Sequence, residues 1–285
     1  MIDFRYHAMS LVAVLVALAL GLLLGVTIGD KNLVSNFQGG LEESLRNDVE
    51  SASKNEKEAK NALDQQNEFI AAAYPQMVEN RLFAQKIAFI GTAGVDRANL
   101  KGVTAAVEPA GASVVYAGEL LAQPRYQELA AAIGEPQLID SEKPTSRQTD
   151  QLGRAVGRRL ARGRSRVAMR RFVFSRLSGR ITRVRLFAFA RQEPENAKTN
   201  DGKLLDGFER GVAAGLSQQA ARVAGVETSA TDPSNIKWYN SLGLSSVDNI
   251  ENYAGRYSLV LIFGGAKGAY GFKDTADAVI PPVAQ

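Results

Sequence analysis

The uncharged run from Ala8 to Ile28 constrains this chain more than any other segment. Leu11 to Ile28 is almost entirely Leu, Val, Ala and Gly. A helix rises 1.5 Å per residue, so about 20 apolar residues cross a hydrocarbon core of roughly 30 Å. The run is long enough, and residues 1–30 are expected to form a transmembrane anchor. A cleaved signal peptide is the rival reading. No A-x-A-like site follows the run and the next residues continue a helical pattern, which favours an uncleaved anchor. Gly21, Gly25 and Gly29 share one helix face and suit close packing against a second helix, although glycine is common in membrane helices anyway. Arg5 and the α-amino group flank the apolar run on one side and Asp30-Lys31 on the other. The positive-inside tendency therefore gives a single-pass protein with a cytoplasmic N-terminus and an extracytoplasmic C-terminal domain.

Residues 31–84 are polar, rich in Glu, Lys, Asn, Ala and Gln, with no glycine after Gly40 and one proline, Pro75. Alternating four- and three-residue steps connect Leu45, Val49, Ala52, Glu56, Ala59, Leu63, Gln66, Ile70, Ala73 and Met77. That is a coiled-coil seam, softened by its alanines and by Glu56 and Gln66. A helix of about 45 residues reaches on the order of 65 Å. The stretch reads as a spacer and oligomerisation stalk, with a helix folded back on the domain as the alternative. Lipid and a second copy of the chain are the expected partners.

Residues 85–285 alternate strand and helix patterns. Lys86–Thr92, Ala112–Ala117, Arg183–Ala190 and Arg222–Glu227 read as strands. Pro124–Ile133, Ser146–Arg164 and Asp201–Ala220 read as helices, the last capped by Asp201. Tyr253–Phe263 is either a helix capped from Asp248 or Asn249, or a strand. This alternation predicts a Rossmann-like, mostly parallel α/β domain. Gly91-Thr92-Ala93-Gly94 is G-x-x-G and not a dinucleotide fingerprint. In Gly264–Gly271, Lys267 is followed by Gly268, so the phosphate-loop spacing fails. Both are read as turns or surface loops. No cofactor is expected.

Composition removes several functions. The chain has no cysteine, hence no disulfide, thiolate metal site or cysteine nucleophile. Its single histidine, His7, borders the apolar run, so the domain lacks the base of a Ser-His-Asp hydrolase. Asp248, Glu251, Asp274 and Asp277 lack the D-x-D-x-D-G pattern and are assigned to capping and solvation rather than to a metal. No catalytic residue is assigned, and a non-enzymatic protein is expected.

Charge is uneven. Residues 147–191 hold fourteen arginines and one acid, Asp150, a charge of +13 in a chain of +4. Arg154, Arg158, Arg162, Arg166 and Arg170 recur every four residues beside the apolar positions Leu152, Val156 and Leu160. Such a face suits anionic lipid or an acidic partner. Aromatics are too sparse here to favour nucleic acid. A solvated face balanced by the acidic remainder is the plainer reading.

The opening Met1-Ile2-Asp3-Phe4-Arg5-Tyr6-His7 and Ser10-Leu11-Val12-Ala13-Val14 resemble the start of the actinobacterial copper-transport MctB family. Ser245–Ile250 with Asp248 and Asn249, then Ala254-Gly255-Arg256, Gly264-Gly265 and Tyr270-Gly271, resemble its closing motif. Phe174–Gly179 and Gly225-Val226-Glu227 match its interior. The resemblance spans essentially the whole chain. It implies a membrane-associated protein of copper efflux or tolerance, described in the family as an outer-membrane pore component. Copper(I) prefers thiolate and thioether ligands, and four scattered methionines give no reason to assign it a residue. A cell-envelope scaffold that touches lipid or an acidic partner through its arginine face is the alternative function.

Overall fold

The computed structural model describes residues 4–28, 31–164, 167–220 and 222–282. The chain divides into two units, Met1–Glu68 and Phe69–Gln285. The first holds α1 (Phe4–Ile28) and most of α2 (Lys31–Val78). Side chains in α1 are described from Met9 to Gly25. The large apolar ones are exposed all round, from 53% at Val16 to 78% at Met9. That stretch is about 26 Å of helix, and among the described residues no helix is long and apolar enough to cross a membrane. A Cβ on Gly21 or Gly25 would meet nothing within 4 Å, and Gly29 lies outside the described residues. Of the seam positions, Leu45, Val49 and Leu63 are exposed.

In the second unit the last turns of α2 are buried at Tyr74 and Val78, and the Tyr74 hydroxyl donates to the Ala106 carbonyl at 2.9 Å. There follow β1 (Lys86–Gly91), α3 (Arg97–Val107), β2 (Ser113–Leu120), α4 (Tyr126–Ala132), α5 (Ser146–Ala161) and α6 (Val167–Val173). The chain continues through β3 (Phe174–Gly179), β4 (Leu186–Ala190), α7 (Asn200–Ser217), β5 (Arg222–Val226), α8 (Ile236–Ser241), β6 (Ser245–Val247), α9 (Tyr253–Gly264) and β7 (Ala269–Tyr270). The sheet order is β3-β2-β1-β4-β5-β6-β7. All neighbours are parallel except β2 and β3. This is a doubly wound order, reversing direction between β1 and β4.

Parallel strands covered on both faces read as continuous apolar runs, as Lys86–Gly91 and Leu186–Ala190 do. Alternation sends Ala88, Ile90, Phe187 and Phe189 into a core with Leu129, Leu152, Phe208 and Tyr239. Ile87, Phe89, Leu186 and Ala188 enter the opposite core with Val78, Val103, Leu259 and Phe263. Tyr253–Gly264 is thus helix, with Asn252 in the capping position. The cap expected from Asp201 is corrected: Thr199 Oγ1 accepts from Gly202 N at 3.1 Å, and Asp201 sits within the first turn.

Helices α5 and α7 pack backbone to backbone. A Cβ on Gly211 would overlap the Asp150 carbonyl oxygen and lie 2.9 Å from the Gly153 Cα. One on Gly153 would overlap the Phe208 carbonyl oxygen, and Gly157, Gly207 and Gly215 are equally confined. The Thr149 hydroxyl donates across the seam to the Leu204 carbonyl at 2.8 Å.

Candidate functional site

Four adjacent strands, β1, β4, β5 and β6, are each followed directly by a buried polar residue: Thr92, Arg191, Glu227 and Asp248. In a doubly wound sheet this is the edge where ligands bind. Arg191, 6% exposed, donates from Nε to Glu209 at 3.1 Å, from Nη2 to Asp206 at 3.0 Å and from Nη1 to Asn235 Oδ1 at 2.7 Å. Its guanidinium lies 4.8 Å from the Trp238 ring centroid. The Asn235 amide N–H donates to Glu227 Oε2 at 2.6 Å. Glu227 Oε1 also accepts from Ser234 Oγ and Lys273 Nζ, each at 2.7 Å. The backbone amides of Phe272 and Lys273 donate to the two Asp248 oxygens at 3.0 and 2.9 Å. One connected network therefore runs from Asp206 to Asp248.

Burial pushes the Glu209 carboxyl up to about 7, against the pull of Arg191 and with a smaller upward push from Asp206. Burial likewise raises the Tyr239 hydroxyl, which accepts from Arg191 N at 2.9 Å and donates to the Val226 carbonyl at 3.1 Å. Charges this deep gain little over apolar replacements, but removing one partner is costly. The row is a clamp: it ties the loops after β4, β5 and β6 to the C-terminal segment.

The crevice between β1 and β4, where a dinucleotide would lie, is stitched shut. The Gln192 amide donates to Thr92 Oγ1 at 2.9 Å, and Thr92 N donates to the Ala190 carbonyl at 2.9 Å. The N-terminus of α3 already carries an anion, since Asp96 accepts from Ala98 N at 2.8 Å. A phosphate there would meet a carboxylate. On either side the edge opens into a cleft. One of about 760 Å³ is lined by Phe89, Val95, Leu100, Lys101, Leu177 and their neighbours. The other, about 710 Å³, lies in front of Arg191.

The residues singled out from sequence separate into different roles. Arg154 pairs with Asp150 at 2.7 Å. Arg158 and Arg162 donate to Gln218 at 3.3 Å and Gln219 at 3.0 Å, just past the end of α7. These three tie α5 internally and toward α7. Arg170 lies on α6, and Arg166 lies outside the described residues. Asp248 does not cap α9; it holds residues 272–273. Asn249 is fully buried, and a Cβ on Gly255 would overlap its carbonyl oxygen. Arg256 donates to the Glu251 carbonyl at 2.7 Å. Gly264 meets open space, and Gly265 passes near Arg222. Gly271 has φ +151, and a Cβ there would overlap the Asp248 carboxylate. Gly271→Ala is expected to cost about 3 kcal/mol in chemical denaturation, combining backbone strain with a displaced buried carboxylate.

Asp248, Glu251 and Asp277 are engaged within the fold. Asp277 accepts from Ala269 N at 2.8 Å, and Glu251 accepts from the Ser229 amide and hydroxyl. Among the described residues no group of three His, Cys, Asp or Glu side chains could hold a metal ion. Sequence reasoning missed Arg191 as an individual, hidden among fourteen arginines, and missed Glu209 and Asn235. The available signal was a charged residue set directly after an apolar strand run, which occurs at Arg191 and Glu227.

Fold and edge define a doubly wound α/β protein whose ligand edge is braced by internal ion pairs. A family model described as copper transport outer membrane protein, MctB, matches residues 1–281. The chain belongs to this copper-transport family. A comparison with individual curated proteins returns no match.

Proposed function

We propose that the chain serves copper transport as a non-enzymatic, membrane-tethered homo-oligomer of the cell envelope. Its N-terminus is cytoplasmic and its α/β domain extracytoplasmic. Family membership supports the copper role. The observation that carries the tether is α1, whose described large apolar side chains are exposed on every side. A helix apolar all round needs an apolar surround, and the uncharged run extends beyond the described side chains to Ala8 and Ile28. One such helix cannot enclose a path for an ion, so transport requires several copies or partners. The charged groups of the polar row are spent on one another and on backbone amides, which supports a structural role for the row.

The tether is tested by alkaline carbonate extraction of cell membranes. The full chain is expected to remain in the pellet, and a chain lacking residues 1–30 to be released; release of both overturns it. Assembly is tested with engineered cysteines, since the natural chain has none. Leu63→Cys, on the heptad seam, is expected to form a disulfide-linked dimer under mild oxidation. Glu58→Cys, off the seam, is not. Equal cross-linking, or none, contradicts assembly through the seam.

A further inference from the structure

The cleft in front of Arg191 is about 710 Å³, within the range of small-molecule sites. It is lined by five cations, Arg147, Arg191, Lys203, Arg210 and Lys237, and three acids, Asp150, Glu193 and Asp206. Ion pairs settle part of this balance. Asp150 is taken by Arg154, which lies off the cleft, and Asp206 by Arg191 and Arg210, each at 3.0 Å. Arg147, Lys203 and Lys237 are exposed and carry no ion pair among the described residues, and Glu193 is the remaining acid of the lining. Three uncommitted cations over one uncommitted acid give the mouth a positive field, which a concave wall concentrates. Ser146 and Arg147 open α5, whose first turn holds no acid, so the positive end of that helix adds to it.

The one aromatic ring of the lining, Trp238, is already engaged within the fold. One neighbour of Trp238 is Phe189, nearly parallel at 14° and 5.9 Å between centroids. The guanidinium groups of Arg191 and Arg210 lie over its ring at 4.8 and 5.4 Å. Its indole N–H is spent on Asp206 at 2.8 Å. Recognition here is by charge and hydrogen bonding.

We propose that this cleft binds a small soluble oligoanion, a compound bearing two or more phosphate or carboxylate groups, held by Arg147, Lys203 and Lys237. The assignment is independent of the copper reading, and its test contains no copper.

The full-length chain, purified in detergent, is titrated calorimetrically with inorganic pyrophosphate at constant ionic strength. Saturable one-site binding is expected. Lys203→Glu with Lys237→Glu is expected to weaken it by about tenfold or more, as two reversed charges at the mouth require. Both side chains are exposed, and an unchanged circular dichroism spectrum verifies folding. Lys101→Glu, in the neighbouring cleft, is expected to leave the affinity unchanged. Absence of saturable binding overturns the proposal, as does an equal loss in Lys101→Glu. Binding confined to phosphatidylglycerol vesicles, with none to pyrophosphate, overturns it too and assigns the charge to a lipid surface.

Discussion

Gly211→Val is expected to cost about 3 kcal/mol or more of stability, because α5 and α7 touch through their backbones. Helices carrying ordinary side chains sit 8–10 Å apart. Here a single added Cβ on Gly211 already overlaps the Asp150 carbonyl oxygen, so a valine must drive the helices apart. That movement breaks the Thr149–Leu204 hydrogen bond and opens the core around Leu152, Val156, Val212 and Leu216, all fully buried. Trp238, the only tryptophan in the chain, reports on this unit in urea denaturation followed by fluorescence. Gly264→Ala is the control: nothing lies within 4 Å of its Cβ, and stability should change by no more than about 1 kcal/mol. Equal midpoints for the two variants would contradict backbone-to-backbone packing.

Arg191→Met should be comparably severe, at about 3–5 kcal/mol, because it strands the Glu209 carboxylate in the core. Asn235 Oδ1 loses its donor and Trp238 a cation in the same change. The defect also has a pH signature. Burial already lifts the Glu209 carboxyl from 4.5 to about 7. Between those values the folded chain holds a proton that the unfolded chain has released. This stabilising contribution is complete below about 4.5 and is lost as pH rises toward 7. Without Arg191 to favour the ionised form, the carboxyl rises further and the loss continues to higher pH. Glu209→Gln removes the dependence. Urea midpoints from pH 5 to 8 should therefore fall most steeply for Arg191→Met and be flattest for Glu209→Gln. Identical slopes in the three proteins would show that Glu209 does not titrate in this window.

Local sequence foretold what local energetics decide. Strands β1, β4 and β5 were legible because burial on both faces demands an unbroken apolar run. The three-residue β6 and two-residue β7 are too short for any periodicity. β3 is an edge strand whose Ser175, Arg176 and Ser178 face solvent, so it carries no apolar signature. The glycine spacing drew attention to Gly21, Gly25 and Gly29. The same four-residue step occurs at Gly207, Gly211 and Gly215, facing Gly153 and Gly157, and there the structure shows backbones in contact. In the arginine stripe, spacing along one helix could not reveal that Arg158 and Arg162 reach residues just past the end of α7. The polar row was the least legible. Arg191, Glu209, Asn235, Glu227 and Lys273 are spread over more than eighty positions, and only the order of the sheet brings them together.

Cellular copper tests the central claim most directly. Cells lacking this chain, grown in copper-supplemented medium, are compared with cells complemented by the full chain and by the chain without residues 1–30. Intracellular copper is measured by elemental mass spectrometry. A tethered copper-transport protein predicts raised copper and lower tolerance in its absence, restored by the full chain and not by the truncated one. Unchanged copper and tolerance on deletion would contradict a transport role, and full rescue by the truncated chain would contradict the tether.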